Sequence, residues 1–163
     1  MNQLPGTIRE FVFRLTILHL AMVAGVVLFI AVSFFIQQNE AIRSPGLMPL
    51  ANILVPVAAV LAVFASEGVF RFLMGKLEMD MPFHIKLHRF MSGCIIRYAV
   101  VEAGALFATI MYLLTGDLKA LVIAGALVIW YFFIRPSAAQ ISTVIPLSQE
   151  EEEKLGNPDS EIL

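Results

Sequence analysis

The sequence predicts an all-α integral membrane protein, a four-helix transmembrane bundle with both termini cytoplasmic. Three observations predict it. Of 163 residues, 59% are apolar and 15% charged, with mean hydropathy +0.83; a soluble domain runs about 45–50% apolar and about 25% charged. Four apolar stretches come close to or exceed the roughly 20 residues that cross a hydrocarbon core. Lysine and arginine fall almost wholly on one side of those stretches, as cytoplasmic loops require.

The first span covers residues 11–36. Its apolar core exceeds the roughly 7–15 residues of a signal-peptide core, and no small-residue cleavage site follows, so a retained signal anchor is expected. Gln37-Gln38-Asn39-Glu40 leads out of it, and Ser44-Pro45-Gly46 reads as a turn. The second span, 48–74, contains Pro56, which membrane helices tolerate with a kink. The third and fourth spans, 93–114 and 118–134, are joined by a tight Gly116-Asp117 hairpin. Arg135-Pro136-Ser137 ends the fourth, because the residue before a proline is pushed out of helical geometry. Residues 1–136 therefore form the transmembrane domain and 137–163 an acidic cytoplasmic tail. In that tail Ser148 and Glu151 have capping-box spacing, and Gly156 and Pro158 stop the helix they start. A helix of two turns is unstable alone. The tail is expected to be solvated, with docking on a partner or on basic residues of the middle loop as the alternative.

With four spans, both termini and the middle loop share one side. That side holds Arg9, Arg14, Arg71, Lys76, Lys86, Arg89, Arg97, Arg135 and Lys154, against Arg43 and Lys119 on the other. This asymmetry makes both termini cytoplasmic. Trp130 and Tyr131, near one end of the fourth span, and Tyr112, near the outer end of the third, are expected at headgroup level. In the middle loop Phe83, Leu87 and Phe90, with Lys86 and Arg89, read as an amphipathic segment on the membrane surface.

Charge and composition exclude several chemistries. A net charge of −2 and a pI near 5.9 leave no nucleic-acid footprint. Cys94 is the only cysteine, so no internal disulfide or thiolate metal cage can form. His84 and His88 have zinc-binding spacing, but Ile85 stands where a zincin has glutamate, and no metal site is expected. Only His19 lies inside a span, so two axial imidazoles for a haem are not available there. No cofactor is expected. With no nucleophile–base pair and no phosphate loop, the chain reads as non-enzymatic.

The costly residues are the charges inside the spans, each worth at least about 2.5–3.5 kcal/mol if unpaired at mid-membrane. Glu67 and Arg71 share a face of the second span at i,i+4. Arg97 and Glu102 lie in the third, and His19 in the first. At about 1.5 Å per residue, His19, Glu67 and Glu102 all lie roughly 8–13 Å inside the cytoplasmic ends of their spans. The expected arrangement is one charge layer, with Arg97 bonded to Glu67, Arg71 to Glu102, and His19 nearby. Such a layer reads first as glue between helices and second as an ion path.

Small residues predict close packing. Ala99, Ala103, Gly104 and Ala108 line the third span, Ala99 and Ala103 at small-xxx-small spacing. Ala120, Ala124 and Gly125-Ala126 give the fourth span a matching face, and Ala58, Ala62 and Ser66 stripe the second.

Ile96-Arg97-Tyr98-Ala99-Val100-Val101-Glu102-Ala103-Gly104-Ala105-Leu106-Phe107 and Tyr112-Leu113-Leu114-Thr115-Gly116 resemble a family of small four-span membrane proteins of the Bacteroidota. Arg135-Pro136 and the pattern from Leu147-Ser148 to Pro158-Asp159 fit it too. The resemblance, over residues 95–160, implies architecture and no mechanism. Glu102-Ala103-Gly104-Ala105-Leu106-Phe107 is also similar to the carboxylate helix of rotary ATPase proteolipids. Those ring subunits pack glycine-rich helices, whereas this chain has 10 glycines and a bulky, charged second span.

These readings make the chain an accessory or structural subunit of a membrane assembly. Its expected partners are lipid and either other membrane subunits or further copies of itself. The alternative is a small proton- or ion-coupled carrier or channel using Glu102 and Glu67.

Overall fold

The computed structural model describes residues 6–38 and 44–162. Its elements are helices: α1 (Ile8–Gln38), α2 (Met48–Met74), α3 (Phe83–Thr115), α4 (Leu118–Phe133), α5 (Ala138–Val144) and α6 (Gln149–Gly156), with a short 3-10 turn at Pro45–Leu47. No strand occurs among the described residues; the one β contact is an isolated antiparallel bridge between Thr7 and Glu161. Asn39, Glu40 and Arg43, which enter the loop and charge readings above, lie outside the described residues.

Helices α1, α2 and α3 are long and apolar enough to cross a membrane, and α4 joins them if it and α5 form one span bent by 81°. At 16 residues, α4 is about 24 Å long, short of a hydrocarbon core of about 30 Å. The bend falls at Arg135-Pro136, where the ring of Pro136 removes a donor and constrains the residue before it. Outward-facing side chains such as Phe13, Leu28, Ile53, Phe64, Val122 and Phe133 are widely exposed. An apolar exterior of this extent suits lipid.

Helix α3 is the centre of the bundle and packs on α1, α2 and α4, while α1 and α2 each also touch α4. Helix α1 buries a narrow stripe of Ile8, Phe11, Leu15, His19, Val23 and Val26, continued by Ser33 and Gln37. That spacing keeps one face of a 3.6-residue helix against its neighbours. Between α2 and α3 the approach is set by Gly104: a Cβ there would stand 2.7 Å from the Cβ of Ala62. Between α3 and α4 it is set by Ala108, Ala120 and Ala124. Ala99 and Ala103, expected at a packing interface, are instead exposed. The buried arc of α3 runs through Cys94, Arg97, Tyr98, Val101, Gly104, Ala105 and Ala108, and the small-xxx-small pair lies on the other side.

The turns follow their residues. Gly116 takes a left-handed conformation (φ 72°) and its N–H bonds the carbonyl of Tyr112, closing α3. Asp117 then caps α4 by accepting from the Lys119 N–H. Tyr112, expected at headgroup level, is buried in the alanine-rich cluster beside it.

Two sequence expectations change at the other end. Helix α3 starts at Phe83, well before the predicted span, and the amphipathic segment is its first turns: Phe83, Leu87 and Phe90 are core residues, not a free surface helix. The tail is not solvated. An unpredicted helix, α5, precedes α6, and Ile141, Ile145, Leu147, Leu155 and Ile162 join the same core as Phe11, Phe70 and Phe90. Their apolar side chains drive the docking; Glu150, Glu152 and Glu153 face outward, while Glu151 turns inward to Lys86.

Candidate functional site

Three groups of polar side chains are buried where apolar packing would be expected. The first is an ion pair between helices. Glu67 of α2 accepts a hydrogen bond from Nη2 of Arg97 of α3, and the guanidinium lies 4.8 Å from the centre of the Phe70 ring. Glu67 and Phe70 are both on the α2 flank that meets α3, so a single residue, Arg97, receives a charge partner and a π face. Its Nε is buried without a hydrogen bond.

The expected four-charge network reduces to this pair. Arg71 is exposed, and no ion pair joins it to Glu102 among the described residues. The reason is helical phase. Five residues separate Arg97 from Glu102, which puts them about 140° apart around α3. Arg97 faces α2, while Glu102 sits at the opposite edge of the buried arc, half-buried and within electrostatic reach of Tyr131 on α4. Arg71, on α2, is therefore on the wrong side to meet it.

The second group is a cluster of rings. His19 of α1, 1% exposed, lies edge-on to Tyr98 of α3 at 4.8 Å between ring centres and stacks on Tyr131 of α4 at 5.0 Å. Tyr98 and Tyr131 meet edge-to-face at 5.8 Å. Both imidazole nitrogens and the Tyr131 hydroxyl are buried without a hydrogen bond. The hydroxyl of Tyr98 has the weak thiol of Cys94, one turn earlier on α3, within hydrogen-bonding reach. Tyr131 was expected at headgroup level; its ring is drawn inward because His19 and Tyr98 offer aromatic contact in the groove between α1, α3 and α4. The sequence signal for this cluster was present but diffuse: Tyr98 adjoins Arg97 in an apolar run, and Tyr131 lies near the end of the fourth span.

The third group ties down the tail. Lys86, fully buried in the first turn of α3, donates to the Met79 carbonyl at 3.0 Å and to Glu151 at 2.8 and 3.1 Å. Glu151 serves twice, since it also accepts from the Ser148 N–H to complete the capping box of α6. Burial opposes ionisation of Glu151, but hydrogen bonds from Lys86 and Ser148 outweigh it and hold the carboxyl below its ordinary range. Arg9 pairs with Asp159 nearby, on the exposed side.

Elsewhere, an open groove of about 330 Å³ between α2 and α4 is lined by apolar residues such as Val60, Phe64, Ile123 and Leu127. It has the character of an acyl-chain surface, because almost no polar group points into it. Comparison with protein-family models, with curated proteins and with solved structures returned no match.

Proposed function

We propose that the chain is a four-span protein of the bacterial inner membrane, with both termini cytoplasmic, that acts as a non-enzymatic accessory or structural subunit of a membrane assembly. The observation that carries this reading is the outer face of α3. Ala99 and Ala103 are exposed there, with Glu102 half-buried on the flank beside Ala99 and joined by no hydrogen bond or ion pair among the described residues. Small residues at this spacing let a second helix come close. A carboxylate left without a partner in an apolar span has a strong preference for a donor from outside.

The topology has its own support. The Thr7–Glu161 bridge and the Arg9–Asp159 pair hold the N-terminal and C-terminal segments together, as two ends on one side of a membrane require. The lysine and arginine asymmetry favours the cytoplasmic side for both. The resemblance of residues 95–160 to small Bacteroidota membrane proteins fits a bacterial inner membrane.

Replacing Ala103 with Leu tests the assembly reading. In mild detergent the native protein is expected to run with a membrane partner or as an oligomer, and the variant to lose that association while its own fold is retained. A native protein that is a strict monomer with nothing bound would end the proposal.

The carrier reading rests on Glu102 alone, because Glu67 is engaged by Arg97. It requires labelling of Glu102 by a hydrophobic carbodiimide near neutral pH together with ion flux in liposomes. Absence of both removes it.

A further inference from the structure

We propose that His19, Tyr98 and Tyr131 form an internal binding site for water, the smallest neutral guest that both donates and accepts hydrogen bonds. Four polar atoms on three helices are buried at this cluster: the two nitrogens of His19 and the hydroxyls of the two tyrosines. His19 and Tyr131 have no hydrogen bond, and the Tyr98 hydroxyl has only the weak thiol of Cys94 beside it. Leaving such groups bare in an apolar interior is costly, and in a bilayer no lipid can satisfy them. One orphan is tolerable; several in one place define a demand.

The character of the guest follows from what the atoms can do. A neutral imidazole offers one donor and one acceptor, and each phenol offers both. The guest must answer both kinds, which excludes a pure donor such as a cation. Ring centres 4.8–5.8 Å apart are in contact, which leaves no room between the rings for a bulky guest and favours the smallest. The nearest strong charges are already committed or set aside: Arg97 is paired with Glu67, and Glu102 stands beyond Tyr131 at the rim of α3. A charged guest would find no counter-ion in contact. Buried waters of this kind make about three hydrogen bonds to otherwise unsatisfied groups. The site goes beyond the assembly reading and stands whether or not a partner docks on α3.

The experiment uses the full chain in lipid bilayers with 15N-labelled histidine and 13C-labelled tyrosine. Water-edited solid-state NMR reports transfer of magnetisation from water to individual rings. Rapid transfer to His19 and Tyr131 is expected, with slow transfer to buried apolar controls such as Phe90. The double variant Tyr98→Phe, Tyr131→Phe keeps the rings and removes both hydroxyls. It is expected to cut transfer to His19 by at least half and to lower the folding equilibrium constant about 2- to 10-fold for each bond lost. A dry cluster behaves in the opposite way. His19 would show no water transfer, and the double variant would be more stable than the native protein, because it deletes unsatisfied groups. Direct imidazole–phenol hydrogen bonds without water transfer would overturn the proposal equally.

Discussion

The two ends of the bundle are built on different physics. At the tail end, large side chains such as Phe11, Phe70, Phe90 and Leu87 form a thick core that continues into α5 and α6, and charges are buried in pairs. At the far end the core is thin and made of small residues: Ala51, Ala108, Ala120 and Ala124 around Tyr112. No buried charge occurs there among the described residues; the polar ties are Gln37 donating to the Leu113 carbonyl and the Ser44 N–H donating to that of Leu114 at 2.8 Å. The difference teaches that this chain holds helices together by charge where bulky residues keep backbones apart, and by proximity where small residues let them touch.

The contrast can be broken most severely at Glu151. Replacing it with Ala strands the fully buried Lys86 and removes the capping box at once, an expected loss of about 3–5 kcal/mol in tail docking. Limited proteolysis should then cut residues 137–148, protected in the native protein. Next comes Arg97→Leu, expected to cost about 2–4 kcal/mol because Glu67 is left without its cation, though a quarter of its side chain still reaches the surface. Adding Glu67→Leu should restore much of that loss in a double-mutant cycle of unfolding.

The proximity rule is tested by two glycines. Gly104→Ala drives a methyl into Ala62 and is expected to cost about 1–3 kcal/mol. Gly93→Ala meets the flexible end of Met74 at 2.8 Å, with the Phe70 ring at the edge of ordinary contact at 3.4 Å, and should cost less. Equal costs in thermal unfolding would show that the Gly104–Ala62 contact does not set the approach of α2 and α3.

The mildest perturbation is acid. Because the folded state holds Glu151 below its ordinary value, its contribution is complete above the unfolded glutamate pKa of about 4.3 and fades as pH falls through the lower folded value. Tail protection measured against pH should show this loss, and Glu151→Gln should abolish the dependence while the far end stays unaffected.

The sequence made the helices legible because their signals are local: apolar length, Pro136 as a break, Gly116 and Asp117 as a turn, Ser148 and Glu151 as a cap. The Arg97–Glu67 pair could be reached from depth alone, since only their level along parallel axes was needed. What stayed hidden depended on rotation of one helix against another. Ala99 and Ala103 share a face, but the sequence does not say which face meets α2. Tyr131 looked like a headgroup anchor because amphipathic rings near span ends usually are, and only the presence of His19 opposite it reverses that. The docking of the tail rests on five apolar residues scattered among acidic ones, a pattern too sparse for periodicity to reveal.

The two-residue link at Gly116 and Asp117 also bears on biogenesis. On the four-span reading, a connection this short leaves no slack for α3 to settle in the bilayer before α4 follows. The pair must partition as one hairpin, and the groups dragged across first are Asp117 and Lys119 at its tip. Opposite charges two residues apart partly offset each other during that passage. A longer, singly charged tip would therefore slow the membrane insertion of this protein while leaving its finished fold unchanged.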